Sequence, residues 1–299
     1  MITCLDIGGS GIKGAVARRF TAVEMLGRVR TPLEDFDAFV GAIGEVLALS
    51  PAPTGSAVSI AITGVIDPAT EVIKCANIPC IDGRRLGPEL SERLNRPVLV
   101  ANDADCFALA EAVAGAGRGH RIVFGAILGT GVGGGLVIDG RMIVGAGGLT
   151  GEWGHGPIVA TRVGDVEIPR FACGCGQVGC LDTVGAARGL ERLHKHLARQ
   201  PLDSVEIVAA WEAGNAAATR TIEVYLQLVA EPLALVVNVI GADIVPVGGG
   251  MSKATRLIER LDEEVRRRIL RRTDRPLVVP GELKVEPGLI GAAILGGER

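Results

Sequence analysis

Apolar positions recur along this chain in two rhythms, and the alternation between them predicts the elements. Short unbroken apolar runs read as buried strands, and apolar residues three and four apart read as helix faces. Ile2–Leu5 is expected to be a strand, followed by a Gly-rich turn at Gly8–Gly11 and a second strand at Ile12–Ala17. Phe36–Leu49 has helical spacing and stops before Pro51; Ser56–Thr63 and Val98–Ala101 read as further buried strands. Asp103–Gly115 reads as an Ala-rich helix, with Asn102 or Asp103 suited to cap it. After a loose segment at Gly115–His120, Arg121–Leu128 is again an apolar run, then LGTGVGGG, then a strand at Leu136–Asp139. Thr219–Ile240 is a long apolar helix that Pro232 is expected to bend. A short strand at Ile244–Val247 ends in three glycines, and helices are expected at Ala254–Ile269 and Leu289–Leu295.

Strands alternating with helices are the signature of an α/β fold. The second half opens as the first does, with strand, Gly-rich turn and strand. That weak internal repeat predicts two similar lobes around a central cleft. Residues 1–118 are expected to form a small N-terminal lobe and residues 119–284 a larger one.

Composition sharpens this picture. At 299 residues the chain exceeds the usual size of a single core, in keeping with two lobes. Aromatic residues make up 3%, too few for the stacking platforms that bind single-stranded nucleic acid. A net charge of −3 gives no general attraction to polyanions. No unbroken apolar stretch approaches the roughly 18 residues that span a bilayer. The opening MITCLDIGGSG lacks the basic start of a signal peptide, so a cytoplasmic protein is expected. Its seven Cys should then be thiols or metal ligands.

Three Gly-rich turns follow strands: DIGGSGIKGA at Asp6–Ala15, LGTGVGGG at Leu128–Gly135 and VGGGMSKA at Val247–Ala254. Glycine lets backbone N–H groups approach a phosphate closely. None has the Gly-Lys-Ser/Thr of a P-loop, and none is a clean dinucleotide fingerprint. Asp6 ends the first strand, where a carboxylate can hold the water shell of magnesium on a polyphosphate; a turn cap is the other reading. Asn102-Asp103 lies where strand meets helix, the position where open α/β sheets bind ligands. There Asp103 can act as a base and Asn102 as a substrate contact, or the pair can simply cap the helix.

The densest cluster runs from Gly151 to Asp182. Cys173, Cys175 and Cys180 fall within eight residues, and 17 residues separate His155 from Cys173. A Cys₃His set fits tetrahedral zinc with every position filled by protein, which marks a structural site. Free thiols or a redox pair are the alternatives, although Cys-x-Cys is tighter than the usual redox spacing.

Together these residues resemble the ROK family, named for repressor, open reading frame and kinase. The resemblance covers nearly the whole chain. It rests on DIGGSGIKGA, ITGVID at Ile62–Asp67, NDAD at Asn102–Asp105, LGTGVGGG, GEWGH at Gly151–His155, CGCGQVGC at Cys173–Cys180, and VGGG. It implies a duplicated actin-like (ribonuclease H-like) ATPase fold, with a last helix, about residues 285–299, packing back on the N-terminal lobe. It implies a kinase that transfers phosphate from MgATP to the 6-hydroxyl of a small sugar. By residue, Asp103 would be the catalytic base, and Asn77, Asn102, Glu152, His155 and Asp182 would contact sugar. The family commonly has Glu where this chain has the shorter Asp182. Phosphates would lie at Asp6, Gly8, Gly9, Ser10, Gly11, Lys13, Gly129, Thr130, Gly131, Gly133, Gly248, Gly249 and Gly250. His155, Cys173, Cys175 and Cys180 would hold zinc, leaving the second nitrogen of His155 for a hydroxyl.

The segment Ala76–Pro79, the run NDADCFALAEA and the long loop between His155 and Cys173 resemble N-acetylglucosamine kinases more than glucokinases, with a glucokinase or fructokinase as the alternative. The resemblance also implies a homodimer without nucleic-acid or membrane partners. Repressors of the family carry an additional N-terminal DNA-binding domain, and here the first Gly-rich turn begins at residue 8, so a repressor is not expected.

Overall fold

The computed structural model describes residues 1–19 and 22–297; residues 298–299 of the expected last helix lie outside that range. The chain divides into two compact units. Unit 1 comprises Met1–Gly119, Gly135–Thr150 and Leu283–Arg299; unit 2 comprises His120–Gly134 and Gly151–Glu282. The early part of the second strand–turn–strand segment thus lies in one unit and its continuation in the other.

Unit 1 opens with β1 (Ile2–Gly8), β2 (Gly11–Arg19) and β3 (Ala22–Val29), followed by α1 (Phe36–Ala48). Asp35 caps α1 by accepting from the N–H groups of Asp37 and Ala38, and Phe39, Ile43 and Val46 on one face are buried. Then come β4 (Val58–Ile62), the small hairpin β5 (Val65–Ile66) and β6 (Ile73–Lys74), α2 (Leu86–Leu94), β7 (Val98–Asn102) and α3 (Asp103–Ala114). All five residues of β4 are buried, as befits a central strand covered on both faces. The strands join in the order β3-β2-β1-β4-β7, with β1, β4 and β7 parallel and β1, β2 and β3 antiparallel.

A second five-stranded sheet repeats that order. Its strands are β8 (Ile122–Leu128), β9 (Val132–Ile138), β10 (Arg141–Met142), β13 (Val245–Gly248) and β14 (Val278–Pro280), in the order β10-β9-β8-β13-β14. β8, β13 and β14 run parallel, and β9 is antiparallel to β10. Between them lie the hairpin β11 (Arg162–Val163) and β12 (Val166–Glu167), the single turn α4 (Asp182–Gly185), α5 (Ala187–Ala198), α6 (Ser204–Glu212), α7 (Ala216–Ile240) and α8 (Thr255–Arg266). The last helix is α9 (Pro287–Gly297), where Gly291 packs against the backbone of Cys106 in α3.

One difference from the sequence pattern has a physical cause. β9 begins at Val132, inside the glycine run, where close packing suits glycine: a Cβ on Gly134 would stand 2.9 Å from Phe124 Cζ and 3.0 Å from Gly125 O. α7 is continuous through the buried Pro232, from the Asn215 cap to Gly241 in the left-handed region. By length and composition α7 is the one described helix able to cross a membrane, yet 61% of its apolar window is buried in the protein. It forms the centre of the unit 2 core, with Tyr225, Leu228 and Leu233 packed among Leu190, Ile207 and Leu257.

Within this core, His194 on α5 is almost wholly buried. Its Nδ1 lies 2.8 Å from the Thr221 hydroxyl, which itself donates to Ala217 O at 3.0 Å. Thr221 therefore accepts, Nδ1 carries the hydrogen, and Nε2 has no hydrogen-bond partner among the described residues. Protonation would place a charge at Nε2 in apolar surroundings, and burial accordingly lowers the His194 pKa below the ordinary histidine value. The folded state then binds this proton less readily than the unfolded one. Its contribution to stability is complete above about pH 6.5 and is lost as pH falls toward the depressed folded value. We expect wild-type protein to lose more stability than His194→Asn between pH 7.5 and 5.0, by at most about 1.4 kcal/mol per pH unit. Denaturant titrations at both pH values check this; parallel pH dependence of the two proteins contradicts it.

Candidate functional site

In unit 1 the first Gly-rich turn joins β1 to β2 and is braced from β3. Thr31 Oγ1 donates to Gly8 O at 2.6 Å, and Arg28 Nη2 donates to Ser10 Oγ at 3.3 Å. Asp6 closes β1 beneath the turn. Burial raises its carboxyl pKa, Lys13 opposes the rise and Glu286 adds to it. Lys13 Nζ stands 3.8 Å from Asp6 Oδ2 and donates to both carboxylate oxygens of Glu286, at 2.7 and 3.0 Å. Gly288 in α9 lies beside Asp6: a Cβ there would make ordinary contact with its carboxylate atoms, at 3.4–3.5 Å. Asn77 borders the same turn, its carbonyl 3.3 Å from where a Cβ on Gly9 would be, and its amide donates to Thr63 Oγ1 at 3.4 Å.

Asn102 and Asp103 divide the labour at the start of α3. Asn102 Oδ1 accepts from the N–H groups of Ala104 and Asp105, and its Nδ2 donates to Gly64 O at 2.9 Å. Capping is thus performed by Asn102, and its amide is rigidly held. Asp103 is exposed at the first helical position, with Oδ1 accepting from Ala104 N at 2.9 Å.

In unit 2 the residues of the Gly151–Asp182 cluster converge. One donor atom from each of His155, Cys173, Cys175 and Cys180 lies within 4.8 Å of all the others. Cys175 Sγ is 3.6 Å from Cys180 Sγ, and Cys173 Sγ is 3.7 Å from His155 Nδ1. The opposite nitrogen of His155 faces Glu152, with Nε2 to Oε2 3.9 Å. The Cys175 thiol is pulled down to about 7, chiefly by the Gln177 backbone N–H, whereas burial pushes Cys173 up to about 11. Trp153 pins the GEWGH segment by donating from Nε1 to Gly133 O at 2.7 Å and meeting the Phe124 ring edge-on.

Asp182 is more than a sugar-contact candidate. Its Oδ1 accepts from Val132 N at 2.7 Å, inside the second Gly-rich turn, and its own N–H donates to Gly154 O at 2.9 Å. Gly131 is required beside it, since a Cβ there would fall 2.8 Å from Oδ1.

The second and third Gly-rich turns meet each other in unit 2. Gly249, at φ 83°, passes so close that a Cβ would lie 2.5 Å from Leu128 O. Beside them opens a cavity of about 870 Å³. Gly129, Thr130 and Gly250 form one end of it, and its walls come from α6 (Val205, Val208) and α8 (Arg256). Its volume falls in the range of small-molecule pockets, roughly 300–1,000 Å³. Sequence pattern alone missed these helical walls, together with Arg28 and Glu286. The positions of Arg28 and Glu286 depend on strand register and on a contact 273 residues apart, for which a linear reading has no signal.

The sequence profile of the ROK family matches residues 2–298. The N-acetylgalactosamine kinase AgaK of Shewanella sp. (strain ANA-3) is 35% identical over 294 residues, covering 98% of this chain and 95% of that protein. The N-acetyl-D-glucosamine kinase of Escherichia fergusonii is 36% identical over 294 residues, covering 97% of each. Among solved structures, the ROK hexokinase from Thermus thermophilus matches with a TM-score of 0.80 at 30% identity, over 98% of this chain and 96% of that one. The duplicated sheet order is that of the actin-like ATPase fold. With a profile that runs almost from end to end and relatives matched over their full length, this chain belongs to the ROK family.

Proposed function

We propose that this chain is a cytoplasmic, ATP-dependent sugar kinase that phosphorylates the 6-hydroxyl of an N-acetylhexosamine, with N-acetylglucosamine preferred. The observation that carries the kinase reading is the unit 2 cavity at which two Gly-rich turns converge, a nucleotide-sized pocket with backbone amides at one end. The acceptor reading is supported by the two relatives above, whose names both specify an N-acetylated amino sugar. N-acetylgalactosamine is therefore the second acceptor to consider; it differs from N-acetylglucosamine only in the configuration at C4.

In this mechanism the sugar hydroxyl attacks the terminal phosphorus in line with the leaving oxygen. Most of the rate comes from positioning and from charge stabilisation by backbone amides of the Gly-rich turns. Magnesium bound to the ATP would supply charge neutralisation at the phosphates, and Asp6 would hold its water shell. Asp103, exposed on a rigid helix start, accepts the hydroxyl proton. Asn102 keeps one amide hydrogen for a sugar oxygen, and Glu152 and the Nε2 side of His155 bind further hydroxyls.

The Cys₃His cluster fits zinc. Zinc–sulfur bonds of about 2.3 Å at tetrahedral angles put sulfurs roughly 3.8 Å apart, close to the spacing between Cys175 and Cys180. With His155 Nδ1 turned to the sulfurs, a bound zinc would set the tautomer and leave Nε2 directed at Glu152.

Asp103→Asn is expected to fold and to bind sugar as the wild type does, but to lose kcat by about 100-fold or more, because an amide accepts no proton. A variant retaining a tenth of the wild-type kcat rules out Asp103 as the base. Elemental analysis of protein purified without added metal should find one zinc per chain. Cys173→Ser should lower zinc content and melting temperature, and raise KM for sugar more than KM for ATP; a zinc-free preparation with full activity contradicts the site. For the acceptor, kcat/KM at saturating MgATP should be highest for N-acetylglucosamine. Glucose and fructose should fall about 10- to 100-fold lower, the cost of leaving a charged hydrogen-bonding group unmatched. A glucose value equal to that for N-acetylglucosamine would overturn the assignment.

A further inference from the structure

A row of charge crosses the sheet beneath the first Gly-rich turn. In the antiparallel registers of β1, β2 and β3, Asp6 stands opposite Lys13, and Lys13 opposite Arg28. Directly opposed residues share a face, so a carboxylate, an ammonium and a guanidinium lie side by side. The next pairing along the strands toward the turn is Ile7 with Ile12, and Gly8 with Gly11 closes it.

The two cations are held very differently. Lys13 is clamped: Glu286 takes it bidentately and Asp6 flanks it, with those two carboxylate side chains only 23% and 26% exposed. Glu286 itself sits at φ 45°, a left-handed conformation that residues other than glycine seldom adopt and that a following proline does not favour. A backbone kept in such a conformation is over-determined by its surroundings, so the clamp is a fixed point. Drawing Lys13 toward a phosphate would leave Asp6 and Glu286 beside each other, partly buried and without their cation.

Arg28 is exposed, and its one side-chain partner among the described residues is the neutral Ser10 hydroxyl, at 3.3 Å. Its guanidinium nevertheless lies over the turn: a Cβ on Gly11 would come within 2.5 Å of Nε. No carboxylate among the described residues engages it, so its charge is available at the place where the turn presents backbone amides. A planar fork of N–H donors matches two phosphate oxygens, which a single ammonium does not.

We propose that Arg28, and not Lys13, is the side-chain cation that grips the polyphosphate at the first Gly-rich turn, while Lys13 is a strut locked by Asp6 and Glu286. This rests on the reading of that turn as part of the ATP site. In the nucleotide complex Arg28 exchanges its Ser10 hydroxyl for phosphate oxygens, and Lys13 keeps its carboxylates.

Calorimetric titration of the full chain with AMP-PNP in the presence of magnesium tests the proposal. Arg28→Gln is expected to weaken AMP-PNP binding by about 10- to 100-fold, the worth of charge-assisted hydrogen bonds, with melting temperature and KM for sugar as in the wild type. Arg28→Lys keeps the charge without the fork and should recover part of the loss. Lys13→Met should lower the melting temperature and weaken AMP-PNP less than Arg28→Gln does. A greater loss from Lys13→Met, or wild-type affinity in a folded Arg28→Gln, overturns the proposal and leaves the kinase reading standing. A wild-type chain that binds no AMP-PNP overturns both.

Discussion

Much of unit 2 hangs on the hydrogen bond from Val132 N–H to Asp182 Oδ1, 2.7 Å long. Asp182 follows the last cysteine of the knuckle by two residues, and its own N–H is tied to Gly154 in the GEWGH segment. One residue therefore joins the cysteine cluster, the segment carrying Glu152 and His155, and the second Gly-rich turn. A carboxylate accepting a backbone N–H is a strong bond, and it satisfies an amide in a turn with little other means of satisfying it. Gly131 follows from the same contact, since any side chain would collide with Oδ1.

The two sheets repeat a strand order, but their first turns are built on different chemistry. In unit 1 the turn is bounded by a charged row, Asp6, Lys13 and Arg28, with Glu286 supplied from the position directly before α9. In unit 2 the equivalent turn is held by one carboxylate and by close packing of glycine on Phe124. A duplicated backbone has thus kept its hydrogen-bond ladder while each copy acquired its own supporting side chains. The ladder depends on alternation and burial, which many sequences satisfy; the supports depend on individual residues.

Elements with strong local signals were legible in the sequence. α1, α3 and α7 carry Asx caps, with apolar faces on α1 and α7 and an Ala-rich, nearly all-buried α3, and the buried runs of β1, β4 and β8 announce themselves. β3 was not legible, because it is a half-exposed edge strand with two register irregularities and no clean alternation. α5 and α6 went unread, although α6 carries a complete capping box at Asp203 and Glu206, and α6 forms a wall of the cavity. The start of β9 was placed too late, since a run of glycines reads as a turn until a ring is known to lie against it.

By itself the sequence determined the family, the α/β class and the Cys₃His knuckle. Each of these is written in residue types and their order along the chain, from the tight Cys173–Cys180 spacing to the alternation of strand and helix patterns. Only the tertiary structure decided which charged groups are free and which are committed. In the sequence Lys13, inside the first Gly-rich motif, is the expected phosphate cation, and Arg28 carries no signal. The difference arises because Glu286, directly before α9, reaches Lys13 of β2 from 273 residues away, and because strand register puts Arg28 on the same face as Asp6 and Lys13. Ion pairs depend on distance in space, and no local pattern encodes a partner that arrives with the last helix.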